Sequence, residues 1–162
     1  MPVTPFHLGV GLLGKGIAPG HVSFSAFVAS QVVIDCETAY FLLVAHQWPV
    51  HRWAHTFAVG TPLGLLVGMA VWSAGLLVRR KYLHLDSHEL RLLPCIAGGL
   101  LGGASHPLLD GIMHTDIRPL RPFLETNPFL GALAISQLHI ACIVAATLGA
   151  GLLLARGQQA RR

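Results

Sequence analysis

Apolar residues in this chain gather into long, almost uninterrupted runs, separated by short polar segments rich in proline, glycine and arginine. A helix needs about 20 apolar residues to cross a hydrocarbon core ~30 Å thick. Four runs reach that length, at about 22–45, 55–78, 92–110 and 129–155. An earlier stretch, HLGVGLLGKGIAPG at 7–20, is apolar but too short to cross, and it predicts a re-entrant or interfacial half-helix. The pattern predicts an all-α integral membrane protein, a single helical domain over 1–162 with about four transmembrane helices.

Small residues add detail. Gly60, Gly64 and Gly68 recur every fourth position and share one helix face, and GGLLGG fills 98–103. Both features predict close helix packing.

Composition agrees with the pattern. The chain is 53% hydrophobic and 11% charged, with a mean hydropathy of +0.61, against roughly 25% charged for soluble domains. The net charge of +4 bears on orientation rather than on nucleic acid, since no basic patch interleaved with aromatics exists. Arg79, Arg80, Lys81 and Arg91 in one loop and Arg156, Arg161 and Arg162 in the tail make seven basic residues. The opposite loops carry three: Arg52, Arg118 and Arg121. The positive-inside rule then places both termini in the cytoplasm. Cys36, Cys95 and Cys142 are isolated in apolar runs and read as small apolar filler. The start MPVTPFHLG has no basic region and no cleavage site, so no cleaved leader is expected.

Ionisable residues stand out on this background, because a charge at the centre of a span costs roughly 3 kcal/mol on insertion scales. Asp35 and Glu37 sit mid-run in VVIDCETAY; His51 and His55 introduce the second span; His106 and Asp110 close the third, with His114 and Asp116 just beyond. Residues four apart share a helix face. A helix starting at Pro49 would align His51 with His55, and the third span aligns His106 with Asp110, and with His114 if it continues through Gly111. Imidazoles and carboxylates converging at low dielectric need a compensating cation. A divalent metal fits, zinc foremost and manganese as the alternative. His7 is a further candidate ligand, although taken singly it reads as a packing residue, as do His21, His46 and His139. Asp35 and Glu37 are two apart and point opposite ways on a regular helix. Glu37 also lies some 8 residues, ~12 Å, below the end of its run. Either the helix is distorted, or one acid is a ligand and the other its outer partner, with a water-filled funnel reaching the site. The HLDSHE segment at 84–89 reads as a solvated loop.

These residues resemble the YdjM-like membrane-bound metal-dependent hydrolases, small bacterial inner-membrane proteins. The likeness covers most of the chain and rests on TPFHLG (4–9), IDCE (34–37), HRWAHT (51–56), SHPLLDGIMHTD (105–116) and RPLRPFLETNP (118–128). Ala54 stands where the family form HRGxTHS has a hydroxyl residue, while both histidines remain. A more distant similarity is to zinc-dependent phospholipase C and nuclease enzymes, all-α proteins whose ligands include an HxxxD pair matched by His106 and Asp110. The resemblance implies metal-dependent hydrolysis, with a lean to phosphoester chemistry, and the span ends that carry the ligands put the expected reaction, on a phosphoester or lipid-like substrate, at the non-cytoplasmic face. Asp35 or Glu37 would be the general base. Arg118 and Arg121, with Arg52, are candidates to hold a headgroup phosphate or to anchor their loops at the interface. Two rivals are a metal-handling transporter and a structural protein with a closed metal site. A Ser-His-Asp reading is poor, because Ser105 adjoins His106 and no G-x-S-x-G occurs.

Overall fold

The computed structural model describes residues 5–81 and 88–159 and is all-helical. A short 3-10 turn, Pro5–His7, leads into α1 (Leu8–Ile17). The long helices are α2 (Phe24–Leu43), α3 (Phe57–Lys81), α4 (Leu92–Met113) and α5 (Ile135–Gln159). All four are long and apolar enough to cross a membrane, so the fold is that of an all-α membrane protein. Leu66, Leu77, Leu93, Ile140, Leu148 and Leu154 are each more than half exposed on the outside of the bundle, as side chains facing acyl chains would be. The ten-residue α1 is indeed too short to cross, and it packs against α5.

The tightest contact joins α3 to α4. A Cβ on Gly64 would run into the Gly99 carbonyl oxygen, one on Gly68 into that of Cys95, and one on Gly103 into that of Gly60. No side-chain layer separates the two backbones. The glycines expected to pack closely do so, and their partners are the GGLLGG glycines. A second small-residue contact seats α1 on α5: Gly16 faces the backbone of Gly149, and Arg156 donates to Gly16 O (2.7 Å) and Ile17 O (3.1 Å) at the α1 C-terminus.

Three expectations need correction. HRWAH is not helical: α3 starts at Phe57, and residues 44–56 form a loop. This loop turns back into the bundle, burying Val50, His51, Ala54, His55 and Thr56. It carries donors down to the depth of Asp35, so no funnel is needed to explain that depth. The fourth run begins as irregular chain, with Gly131 at φ +72°, and becomes helical only at Ile135. In HLDSHE, residues 84–87 lie outside the described residues, but Glu89 is not simply solvated. It is paired with Lys15 of α1 and accepts from Ser25 N–H (2.8 Å) and Ser23 Oγ (3.3 Å) at the start of α2. Glu89 thereby ties three elements together at the end of the bundle opposite the histidines. Arg79, Arg80 and Lys81 fall in the last turn of α3, where only the backbone is described, and Arg161 and Arg162 lie outside the described residues.

Candidate metal centre

Four buried side chains meet at one point: Asp35 from α2, His55 from the loop before α3, and His106 and Asp110 from α4. One ligand atom from each lies within 4.8 Å of all the others, a spacing that can hold a metal ion. His106 Nε2 is 3.1 Å from Asp110 Oδ2 and 3.4 Å from Asp35 Oδ1; His55 Nε2 is 3.8 Å and 3.9 Å from the same two oxygens. His7, in the turn before α1, places Nε2 3.2 Å from Asp110 Oδ1. The two Asp110 oxygens therefore face different imidazoles.

Three of the histidines share an orientation. His106 Nδ1 donates to Gln31 Oε1 (2.5 Å), His55 Nδ1 to Glu37 Oε2 (3.2 Å) and His51 Nδ1 to Asp116 Oδ1 (2.9 Å). Those oxygens only accept, so each Nδ1 must carry the hydrogen. Gln31 is fixed in this sense because its amide nitrogen donates to Gly102 O (3.2 Å). In the neutral form each ring then turns a bare Nε2 lone pair the other way. His55 Nε2 has Thr38 Oγ1 at 3.3 Å. Nε2 of His7, His51 and His106, and Oδ1 of Asp110, are buried with no hydrogen-bond partner among the described residues. Buried polar atoms are rarely left so. Lone pairs crowded together without hydrogens between them are what a cation would resolve. Metal-bound histidines commonly donate their other ring nitrogen to a carboxylate or carbonyl oxygen, as here. The donor set thus fits a metal ion.

The two acids of IDCE divide their roles without helix distortion. Asp35 faces the centre. Glu37 faces the loop, accepting from Arg52 N–H (2.9 Å) and Ala54 N–H (3.1 Å) as well as from His55. It holds the HRWAH loop in place and sets the tautomer of His55. Gln31 and Thr38 were not singled out from the sequence. Their signal is spacing: Gln31, Asp35 and Thr38 fall at i, i+4 and i+7, a polar stripe along an otherwise apolar helix.

His51 and His114 lie beside the quartet rather than in it. The imidazoles form a row: His7 to His106 5.1 Å between ring centroids, His106 to His55 5.0 Å, His55 to His51 4.8 Å, His51 to His114 4.5 Å. His114 does not share a helix face with Asp110, because α4 ends at Met113 and His114 is already extended (φ −108°, ψ 128°). Burial, together with the nearby His55, lowers the pKa of His51 despite Asp116, and burial lowers that of His114. Both rings are uncharged at neutral pH. Burial opposes the charge on Asp116, but its hydrogen bonds with His51 outweigh this and hold its pKa below the ordinary carboxylate range.

The arginines sit at the rim. Arg118 and Arg121, with Trp48, Pro49, Thr115 and Asp116, line a cavity of about 290 Å³. Arg121 pairs with Glu125 (2.6 Å), and Arg118 donates to Thr115 O (2.8 Å). Arg52 points elsewhere: it lies over the Phe41 ring (3.6 Å) and donates to Pro49 O (3.0 Å). His139 stacks on Phe6 (4.1 Å), and His21 and His46 are exposed, away from the centre. The three cysteines are free. Comparison with protein families, curated proteins and solved structures finds no match to this chain.

Proposed function

We propose that the chain is a membrane-embedded, metal-dependent hydrolase acting on a phosphoester or lipid-like substrate at the non-cytoplasmic face of a bacterial inner membrane, both termini being cytoplasmic. The observation that carries this reading is the meeting of Asp35, His55, His106 and Asp110 at one buried point, with the Nε2 atoms of His7 and His106 and Oδ1 of Asp110 left without hydrogen-bond partners among the described residues. Zinc suits such a nitrogen and carboxylate set, with manganese as the alternative.

A bound ion would supply Lewis acidity, lowering the pKa of a water toward neutrality and polarising the scissile group. The chain's own residues do the rest. Gln31 and Glu37 fix the rings of His106 and His55. Asp35 is the acid that faces the centre, so it rather than Glu37 would hold the ion there or, where it is not a ligand, take a proton. Arg118 and Arg121, at the rim of the polar cavity, would draw in an anionic headgroup. Lys15, paired with Glu89, and Arg156, bound to the end of α1, support the orientation.

One observation favours a second reading. The quartet offers four protein donors, all at least nine-tenths buried, which also suits an ion used only for folding.

Elemental analysis of detergent-purified protein tests the reading, beside His55→Ala, His106→Ala and Asp110→Ala. At least one zinc or manganese ion per chain, lost in the variants, is expected, followed by hydrolysis in a phosphoester and lipid screen. A wild type unable to take up metal would sink it. Metal uptake with no turnover on any ester would leave the folding role.

A further inference from the structure

The buried quartet leaves His51, His114 and Asp116 unused. They gather at the outer side of the row, and one ligand atom from each lies within 4.8 Å of the others. His51 comes from the inserted loop; His114 and Asp116 come from the chain just past α4. Asp116 Oδ1 and Oδ2 lie 2.9 Å and 3.0 Å from His51 Nδ1, in the hydrogen bond already described, whose hydrogen an ion shared by the two residues would displace. The His114 ring lies against that of His51 at 4.5 Å, tilted by 32°.

The His51 and Asp116 side chains are 4% and 5% exposed, and on the edge of the His51 ring away from Asp116 the Nε2 has no hydrogen-bond partner among the described residues. Two imidazoles and a carboxylate gathered in one place form a donor set of the kind that takes a divalent transition cation.

The two groups differ in closure. The quartet supplies four protein donors, and all are buried. The outer group supplies three, and although the Asp116 side chain is buried, His114 is only half-buried. Asp116 also lines the polar cavity of about 290 Å³ that carries Arg118 and Arg121. Ions held by four protein ligands are typically structural, while three ligands and an open position mark a reactive ion.

We propose that His51, His114 and Asp116 form a second divalent-cation site, and that this outer site, not the buried quartet, has the coordination position open to exogenous ligands. This deepens the hydrolase reading and rests on it for its catalytic meaning, but the site itself can be tested without a substrate.

The experiment is cobalt substitution of the full-length protein in detergent, followed by metal counting and visible spectroscopy, with inorganic phosphate as the probe of the open position. The wild type is expected to hold about two cobalt ions per chain, and phosphate to change its spectrum. His114→Ala is expected to hold about one, with the phosphate response gone. This variant trims a half-buried side chain past the end of α4, so the helix itself is kept. Asp116→Asn, nearly the same shape, is expected to weaken the same ion at least tenfold. The proposal is overturned if the wild type holds one ion that His106→Ala removes and His114→Ala does not. It is also overturned if His114→Ala keeps the full phosphate response. A wild type with no ion at all would overturn both this proposal and the hydrolase reading, whereas loss of the outer ion alone leaves the buried centre standing.

Discussion

Gln31 and Asp35 stand one turn apart on α2 and meet the same imidazole from its two edges: Gln31 Oε1 is 2.5 Å from His106 Nδ1, and Asp35 Oδ1 is 3.4 Å from Nε2. One residue sets the hydrogen on the ring; the other faces the lone pair this leaves. Removing an outer partner of this kind typically weakens metal binding by 10–100-fold. Gln31→Ala is expected to fall in that range by chelator competition, with its helical content unchanged. Wild-type affinity in that variant would show that His106 does not depend on Gln31.

The ion should also hold the bundle together, because its donors come from the N-terminal turn, α2, the loop before α3, and α4. Binding only to the folded state at a free concentration a hundred times the dissociation constant adds about 2.7 kcal/mol. For a chain of this size that is a melting shift of about 5–10 °C. Chelation should lower the melting temperature by that amount in the wild type and by little in Asp110→Asn. An equal fall in both would place the metal elsewhere.

The glycine contact between α3 and α4 should tolerate no added methyl. Gly64→Ala places a Cβ against the Gly99 carbonyl oxygen, and overpacking of this kind costs about 1–3 kcal/mol. Gly151→Ala on α5 meets nothing within 4 Å and should be neutral or slightly stabilising, through helix propensity. Thermal melts of the two variants in the same detergent make the comparison. A destabilised Gly151→Ala beside an unaffected Gly64→Ala would contradict the packing described.

Glu89 gives a pH dependence. Burial works against its charge, but Lys15 and the Ser25 N–H outweigh this and hold its pKa below the ordinary glutamate value. A carboxylate with a depressed folded pKa contributes stability that is present above its unfolded pKa and lost as pH falls through the folded one. Glu89→Ala should therefore cost about 1–3 kcal/mol at neutral pH. The gap to wild type should close in acid, below the ordinary glutamate range. Unfolding curves at neutral and acid pH read this out, and a constant gap would mean that the charge of Glu89 is not what matters.

Much of this molecule can be read from its residues because a bilayer leaves few choices. Runs of twenty apolar residues must be helices, and glycines at every fourth position must meet a neighbour. The centre was legible where it rests on helices: His106 and Asp110 are four apart on α4, and their spacing places them together. It was misread where the chain is irregular. HRWAH has helical spacing, yet Glu37 takes the N–H groups of Arg52 and Ala54 that helical turns would otherwise engage, so the segment stays a loop. No local pattern announces that competition, since Glu37 lies 15 residues from Arg52. Gln31 was missed because a single amide in an apolar helix is ordinary until its partner ring is located.

The arrangement of donors also sets an order of events during synthesis. His7 is the first donor to leave the ribosome, and Asp110, which it faces at 3.2 Å, follows 103 residues later (110 minus 7). At 5–20 residues per second that is a wait of roughly 5–20 s. Through that interval Asp35 and His55 have been made while both donors of α4 are still missing. The quartet is complete only once α4 has joined α2 and α3, so capture of an ion there is a late step that reports a finished topology.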